Sequence, residues 1–153
     1  MGEKIRELQI AALENGTSID HIPSDRLFKI ASILGLENLS DPITIGNNLK
    51  SKKMITKGII KISGKFFKED EINKITLLAP NVNLNVIRDF EVVEKKRLTL
   101  PDELIGLVQC NNPKCITNNE PMKSRFSVID KKAVTIRCHY CEQKINKEEI
   151  RIV

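Results

Sequence analysis

Apolar and polar positions change their period several times along this chain, and each change predicts an element. Glu7 to Leu13 is a short apolar-rich stretch, Asn15-Gly16 is a turn signal, and Thr17 to Ile22 is a second extended run. Pro23-Ser24-Asp25 offers a helix start. Leu27, Ile30, Ala31 and Leu34 follow at i, i+3, i+4 and i+7, which lays one apolar stripe along a helix, and Gly35 suits its C-terminal end. Pro42 to Leu49 predicts a strand, Lys50-Ser51-Lys52-Lys53 a loop, and Gly58 to Ser63 a strand alternating about Ile60 and Ile62. Glu69-Asp70-Glu71 suits the positive start of a second helix, with Ile72, Ile75 and Ala79 on its buried side and Ala79-Pro80 at its end. Val82 to Ile87 alternates as a half-buried strand, and Asp89 to Lys95 predicts one more.

The order strand, turn, strand, helix, strand, strand, helix, strand predicts an α+β fold. Two helices on one face of an antiparallel sheet, a ferredoxin-like domain, fit it best. The charge run Glu94-Lys95-Lys96-Arg97 leads into Leu98-Thr99-Leu100-Pro101-Asp102, where a boundary is expected between residues 1–100 and 101–153. The second region shows short strands at Ile105–Gln109, Arg125–Ile129, Ala133–Arg137 and Glu149–Val153. A region of about fifty residues seldom holds a core without metal or disulfide.

All four cysteines fall in that region, as Cys110-x4-Cys115, twenty-two residues, then Cys138-x2-Cys141. Two short-spaced pairs separated by a strand-turn-strand length converge on one tetrahedral ion. Zinc is the default, because four thiolates at about 2.3 Å satisfy it and leave no open position. Such a site is structural, and the region reads as a small all-β zinc ribbon with one zinc. The alternative is two disulfides, which suit a secreted chain. Met1-Gly2-Glu3-Lys4 lacks the apolar stretch of a secretory signal, so the cytoplasm is expected. His139 lies inside the second knuckle, where four cysteines already fill the shell and intervening side chains turn outward. Tyr140 beside it reads as a packing or contact residue.

Net charge is +5, and it is spread: residues 1–100 carry 16 Lys and Arg against 13 Asp and Glu, residues 101–153 carry 9 against 7. A mild surplus favours anionic ligands in general and is weak support for nucleic acid. Aromatics are 4% with no Trp, which disfavours a base-stacking surface. No apolar run approaches the ~18 residues of a membrane helix. No Walker loop, dinucleotide fingerprint, His-Glu-x-x-His or Gly-x-Ser-x-Gly is present, so the inventory argues against an enzyme.

Asp20-His21-Ile22-Pro23 is the sharpest small constellation: an anion, a titratable ring and a rigid turn at a strand end. It reads either as an ordinary hairpin end or as a site. In a site, Asp20 would accept from sugar hydroxyls or a base amine, and His21 would donate to phosphate. Lys61 in an alternating strand, and Lys95-Lys96-Arg97 at a strand end, are solvated cations by default.

The cysteine pattern, Asp20-His21-Ile22-Pro23, Ile43-Thr44-Ile45-Gly46, Leu78-Ala79-Pro80, Asn85 and Glu91-Val92-Val93 before Lys95 resemble the aspartate carbamoyltransferase regulatory chain over nearly the whole length. The resemblance implies a non-catalytic subunit. Its N-terminal domain would bind nucleoside triphosphates: CTP and UTP inhibit and ATP activates in well-known members. Its zinc ribbon would dock on the catalytic chain of pyrimidine biosynthesis. Regulatory chains would pair as homodimers through their N-terminal domains and bridge catalytic trimers. By motif match, effector contacts fall on Ile10, Ala12, Leu13, Asp20, His21, Lys61, Asn85 and Lys95, and zinc on Cys110, Cys115, Cys138 and Cys141. Position around the knuckles offers Asn112, Lys114, Tyr140 and Glu142 as catalytic-chain contacts. Three departures bear on effector choice: Glu7 where a basic residue is sometimes used, Phe90 for a frequent tyrosine, and the basic loop Lys50-Ser51-Lys52-Lys53. The runner-up reading is a zinc-ribbon nucleic-acid-binding protein, and a third is a rubredoxin-like iron carrier.

Overall fold

The computed structural model describes residues 12–52 and 54–153. By density of contacts the chain divides into two compact units: Met1–Lys68 with Asn81–Leu98, and Glu69–Pro80 with Thr99–Val153. The fold is α+β, with two α-helices and antiparallel sheets among the described residues.

In the first unit, β1 (Gly16–Ile22), α1 (Leu27–Ile33), β2 (Ile43–Lys50), β3 (Thr56–Ser63), β4 (Asn83–Arg88) and β5 (Glu91–Arg97) follow in chain order. The strands form one sheet in the order β2-β3-β1-β4-β5, antiparallel throughout. That is the strand order of a ferredoxin-like sheet with one added edge strand. The register explains why these residues pair. Ile19 lies opposite Ile60 on β3 and Leu84 on β4, and Ile45 lies opposite Ile60. Directly opposed residues share a face, so one apolar row crosses four strands. Ile62 faces Ile43 and Thr17 in the next row of the same face. Ile19, Ile60, Ile62 and Leu84 are buried, and each such side chain contributes about 1.5–3 kcal/mol against exposure.

The α1 helix buries Leu27 and Ile30 and leaves Phe28 and Lys29 outside, as its apolar spacing predicts. A Cβ at Gly58 would collide with the Leu27 side chain, so this glycine lets α1 approach β3. The helix ends at Gly35, whose φ of 63° is the left-handed conformation a helix C-terminus favours. The strand expected from Asp89 begins instead at Glu91. Asp89 and Phe90 have φ of 51° and 66° and form a two-residue turn between Arg88 and Glu91, its handedness matching the strand twist.

The second unit holds α2 (Glu69–Leu78) and β6 (Glu103–Ile105), β7 (Val108–Gln109), β8 (Arg125–Asp130), β9 (Thr135–Cys138), β10 (Lys144–Ile145) and β11 (Arg151–Ile152). They make a four-stranded sheet, β10-β9-β8-β6, and a two-stranded one, β11-β7. Leu77 of α2 joins Leu104, Phe126 and Ile136 in one apolar cluster that also takes in Cys110, Cys115 and Cys138. Ile75 and Ala79 are buried as the periodicity predicts.

Three strands differ from expectation. The run Ile105–Gln109 is broken by Gly106 at φ 70° into β6 and β7, which join different sheets. The run Ala133–Arg137 starts two residues late, because Val134 takes φ 57° in the β8–β9 turn. A β-branched residue there costs about 1–2 kcal/mol, and burial of its side chain (1% exposed) offsets that. The last strand shortens to Arg151–Ile152 behind a 3-10 turn at Lys147–Glu149.

Candidate functional site

Two sites arise, one in each unit. In the second, the ends of β7 and β9 and the loops after them bring four sulfurs together. The Sγ atoms of Cys110, Cys115, Cys138 and Cys141 all lie within 4.8 Å of one another. Cys110 and Cys141 are 3.5 Å apart and Cys115 and Cys138 are 3.7 Å apart. A disulfide needs about 2.05 Å, and none of the four is bridged. A tetrahedral ion with bonds of about 2.3 Å needs sulfurs about 3.8 Å apart, so the donor set fits one metal ion. His139 is not part of the cluster.

Each knuckle is closed by backbone. Cys115 N–H donates to Asn112 O and Glu142 N–H to Cys138 O, both at 3.0 Å, and Glu142 takes φ 64° to make the turn. The Thr117 hydroxyl lies 3.1 Å from Cys115 Sγ. Asn118 Nδ2 donates to the carbonyls of Cys110 and Asn112, tying the first knuckle. Without a cation, burial pushes the Cys110 thiol up to about 12 and raises Cys138. Burial also opposes ionisation of Cys141, but hydrogen bonds from Gln143 N–H and Asn112 outweigh it and leave this thiol at about 7. A bound cation must displace protons from such a cluster.

In the first unit, the sheet face opposite the apolar rows carries a polar row, with Ile59 and Ile87 buried on the same face. Lys61 on β3 lies opposite Ser18 on β1, Ser18 opposite Asn85 on β4, and Asn85 opposite Lys95 on β5. Thr44 extends the row at β2. Four strands therefore carry Lys61, Ser18, Asn85 and Lys95 in one line on one face. Ser18 is buried. Asn85 Oδ1 is buried with no hydrogen-bond partner. Two residues along, Asp20 lies opposite Asn83, and Asn83 opposite Arg97.

Asp20 and His21 are brought together by a break in β1. Register with β3 shifts between Ile19 and Ile22, and His21 has φ 60°. Asp20 Oδ1 accepts the His21 backbone N–H at 2.7 Å. Lys57 Nζ reaches Oδ1 at 3.0 Å and Oδ2 at 3.2 Å. Asn83 Nδ2 lies 2.9 Å from His21 Nδ1. Much of the Asp20 carboxylate is thus engaged within the protein. Lys57 and Asn83 escape a reading of the sequence, and only the alternation around Asp20 on paired strands could have found them.

The remaining sequence-predicted residues are placed as follows. Ile10 and Glu7 lie outside the described residues. Ala12 and Leu13 are in no regular element, and Glu14 O accepts Phe90 N–H, which ties this segment to the β4–β5 turn. Phe90 is 64% exposed there. Lys114, Tyr140 and Glu142 are exposed, whereas Asn112 turns its Oδ1 onto Lys114 N–H at 3.0 Å. Tyr140 packs edge-on against His139. No helix among the described residues is long and apolar enough to cross a membrane.

Comparison with known proteins matches two successive stretches of the chain, and the first of them includes α2, which contacts group with the second unit. Residues 8–99 match the profile described as aspartate carbamoyltransferase regulatory chain, allosteric domain. Residues 102–151 match aspartate carbamoyltransferase regulatory chain, metal binding domain. The chain is 71% identical over 150 residues to the aspartate carbamoyltransferase regulatory chain of Parabacteroides distasonis, covering 98% of this chain and 97% of that one. It is 59% identical to that of Bacteroides fragilis over the whole of both. It is 44% identical to that of Thermococcus sibiricus, over 95% of this chain and 97% of the other. With a four-thiol centre in one unit, a ferredoxin-like sheet in the other and both profiles matched in order, the chain belongs to the aspartate carbamoyltransferase regulatory chain family.

Proposed function

We propose that this chain is the non-catalytic, allosteric subunit of a cytoplasmic aspartate carbamoyltransferase. Residues 1–100 bind a nucleoside triphosphate (CTP, UTP or ATP), and residues 101–153 grip the catalytic chain. The observation that carries the first half is the polar row Lys61, Ser18, Asn85 and Lys95 beside Asp20 and His21. A triphosphate carries about four negative charges near neutral pH, so cations at its tail dominate affinity. Lys95 and His21 take phosphate, Asp20 and Lys61 take ribose and base, and Ile10, Ala12, Leu13 and Asn85 complete the contacts. Binding regulates only through different affinity for two states, typically a coupling of about 1–3 kcal/mol, and substrate must affect effector binding reciprocally.

The metal in this reading is one structural zinc per chain on Cys110, Cys115, Cys138 and Cys141, supported by an all-sulfur, closed donor set. Zinc supplies shape and assembly here. Lys114, Tyr140 and Glu142, with Asn112 at the knuckle, face the catalytic chain. Homodimers form through the first unit. A groove of about 430 Å³ between α1 and β2, with Phe28 and Ile45 67% and 42% exposed on its walls, supports a second copy as its occupant. Among the described residues β2 is also an edge strand of the sheet. Such pairs bridge catalytic trimers. Nucleic acid and membrane are not partners.

Isothermal titration of the metal-loaded chain with CTP and ATP tests the effector half: heat saturating below millimolar nucleotide is expected, and none would overturn it. Co-purification with a carbamoyltransferase catalytic chain, lost on verified removal of zinc, tests the other half.

A further inference from the structure

We propose that Asn83 is the positioning residue that sets the tautomer of His21. The inference rests on the reading of the Asp20–His21 site as an anion-binding effector site and deepens it. An asparagine Nδ2 is a donor and has no lone pair to offer. Placed 2.9 Å from His21 Nδ1, it is a donor for which that nitrogen can be the acceptor. In a neutral imidazole the proton then sits on Nε2. His21 consequently offers an N–H to a ligand from Nε2, the nitrogen turned away from Asn83. Without Asn83, Nδ1 has one partner at hand, Asp20 Oδ2 at 3.7 Å. A carboxylate there would draw the proton to Nδ1 and leave Nε2 as a lone pair facing a phosphate, which repels it.

The backbone is arranged around this contact. In a regular strand His21 would point to the face opposite Asp20 and Asn83. The left-handed turn at His21, φ 60°, removes that alternation, at a cost of about 1–2 kcal/mol. The Asp20 carboxylate is meanwhile occupied by the His21 backbone N–H and by Lys57 Nζ, which weakens its competition for Nδ1. Strain held by neighbours in this way is a mark of functional positions. Asn83 lies directly opposite Asp20 on β4, so the same register that builds the polar row aims its amide at the ring.

The chain has two histidines, so long-range 15N spectra of the imidazoles in the full-length, metal-loaded protein resolve both. An H139Q variant assigns them. At pH 8.5, His21 is expected as the Nε2–H tautomer. Asn83→Leu should give a mixture or the Nδ1–H form. It should also weaken CTP and ATP binding about tenfold, the scale of one hydrogen bond to a charged group. Asn83→Asp should invert the tautomer outright. Asn83→Ser, whose hydroxyl can donate, should restore part of both. Unchanged metal content and melting temperature identify variants that fold. A wild-type His21 with its proton on Nδ1, or an Asn83→Leu protein that keeps the Nε2–H form, overturns the inference. If wild-type protein shows the Nε2–H tautomer but binds neither nucleotide, the effector reading falls and the tautomer assignment stands.

Discussion

The sheet of the first unit buries Ile19, Ile60, Ile62 and Leu84 in continuous rows across strands of six to eight residues. The second unit has strands of two to six residues and an apolar cluster that takes in Cys110, Cys115 and Cys138, with Cys141 packed against it. The first can stand on hydrophobic burial, which is non-directional and accumulates with area. The second gathers its shortest strands and loops around one point, and a single ion there replaces the core area it lacks. The difference fits the proposed division of labour, with a ligand on the polar row of the sheet and a partner at the exposed knuckles of the metal unit.

Removing the metal breaks the comparison most severely. Structural zinc contributes on the order of 10–16 kcal/mol of apparent folding free energy in small modules. Cys115→Ser, or chelation, is expected to abolish amide protection across β6–β11 while β1, β3 and β4 stay protected in hydrogen exchange. The helix Glu69–Leu78 is the informative segment. By contacts it groups with the metal unit, by sequence it precedes the boundary at Leu98–Asp102. Its loss of protection together with β6–β11 would assign it to the metal unit, and its retention would place the boundary at Pro101.

A cavity in the first unit comes next. Ile60→Ala, at the centre of the longest apolar row, should cost about 2–5 kcal/mol. Nucleotide affinity should fall with the fraction folded, while the absorbance of a cobalt-substituted four-thiolate centre stays the same. Simultaneous loss of both would show that the units fold as one.

Smaller still is the removal of one cation from the polar face. Lys95→Ala should weaken CTP and ATP binding about tenfold or more, since a charge-assisted hydrogen bond is worth about 1.5–3 kcal/mol. The melting temperature should hardly move, because β5 is an exposed edge strand. Equal affinities in titration would remove Lys95 from the phosphate site.

The smallest effect sits on the surface of the second unit. Lys131, 2.9 Å away, holds the Asp102 carboxyl below its ordinary value of 3.8, chiefly by a hydrogen bond. A lowered acid contributes stability above its ordinary pKa and loses it as pH falls through the lowered one. Both groups are exposed, so Lys131→Ala should return the Asp102 titration to the ordinary carboxylate range in NMR with no resolvable change in melting.

Residue spacing made the metal site legible, because thiolates close in sequence must serve one ion when they sit on knuckles, and Cys110-x4-Cys115 with Cys138-x2-Cys141 leaves few other uses. Alternation also made the apolar rows legible at Ile60, Ile62 and Leu84. The proposed effector site was legible only in its members, Asp20, His21, Lys61 and Lys95, and through resemblance. Its assembly is a matter of register: a slip of one residue in β4 would have sent Asn83 and Asn85 to the opposite face. The interruptions at His21, Phe90 and Val134 were hidden for a related reason, since positive φ at a non-glycine residue is imposed by neighbours and has no local signature beyond glycine itself.

What the order of residues determined alone is therefore what depends on short separations: helix stripes, strand alternation and the ligand pairs of the metal. Tertiary structure alone decided which strands lie side by side, hence that Ser18 meets Lys61 and Asn85, that Lys57 engages Asp20, and that Asn83 reaches His21. Those partners lie 37 to 67 residues apart in the chain, and only the burial of one common apolar face brings them to the same row.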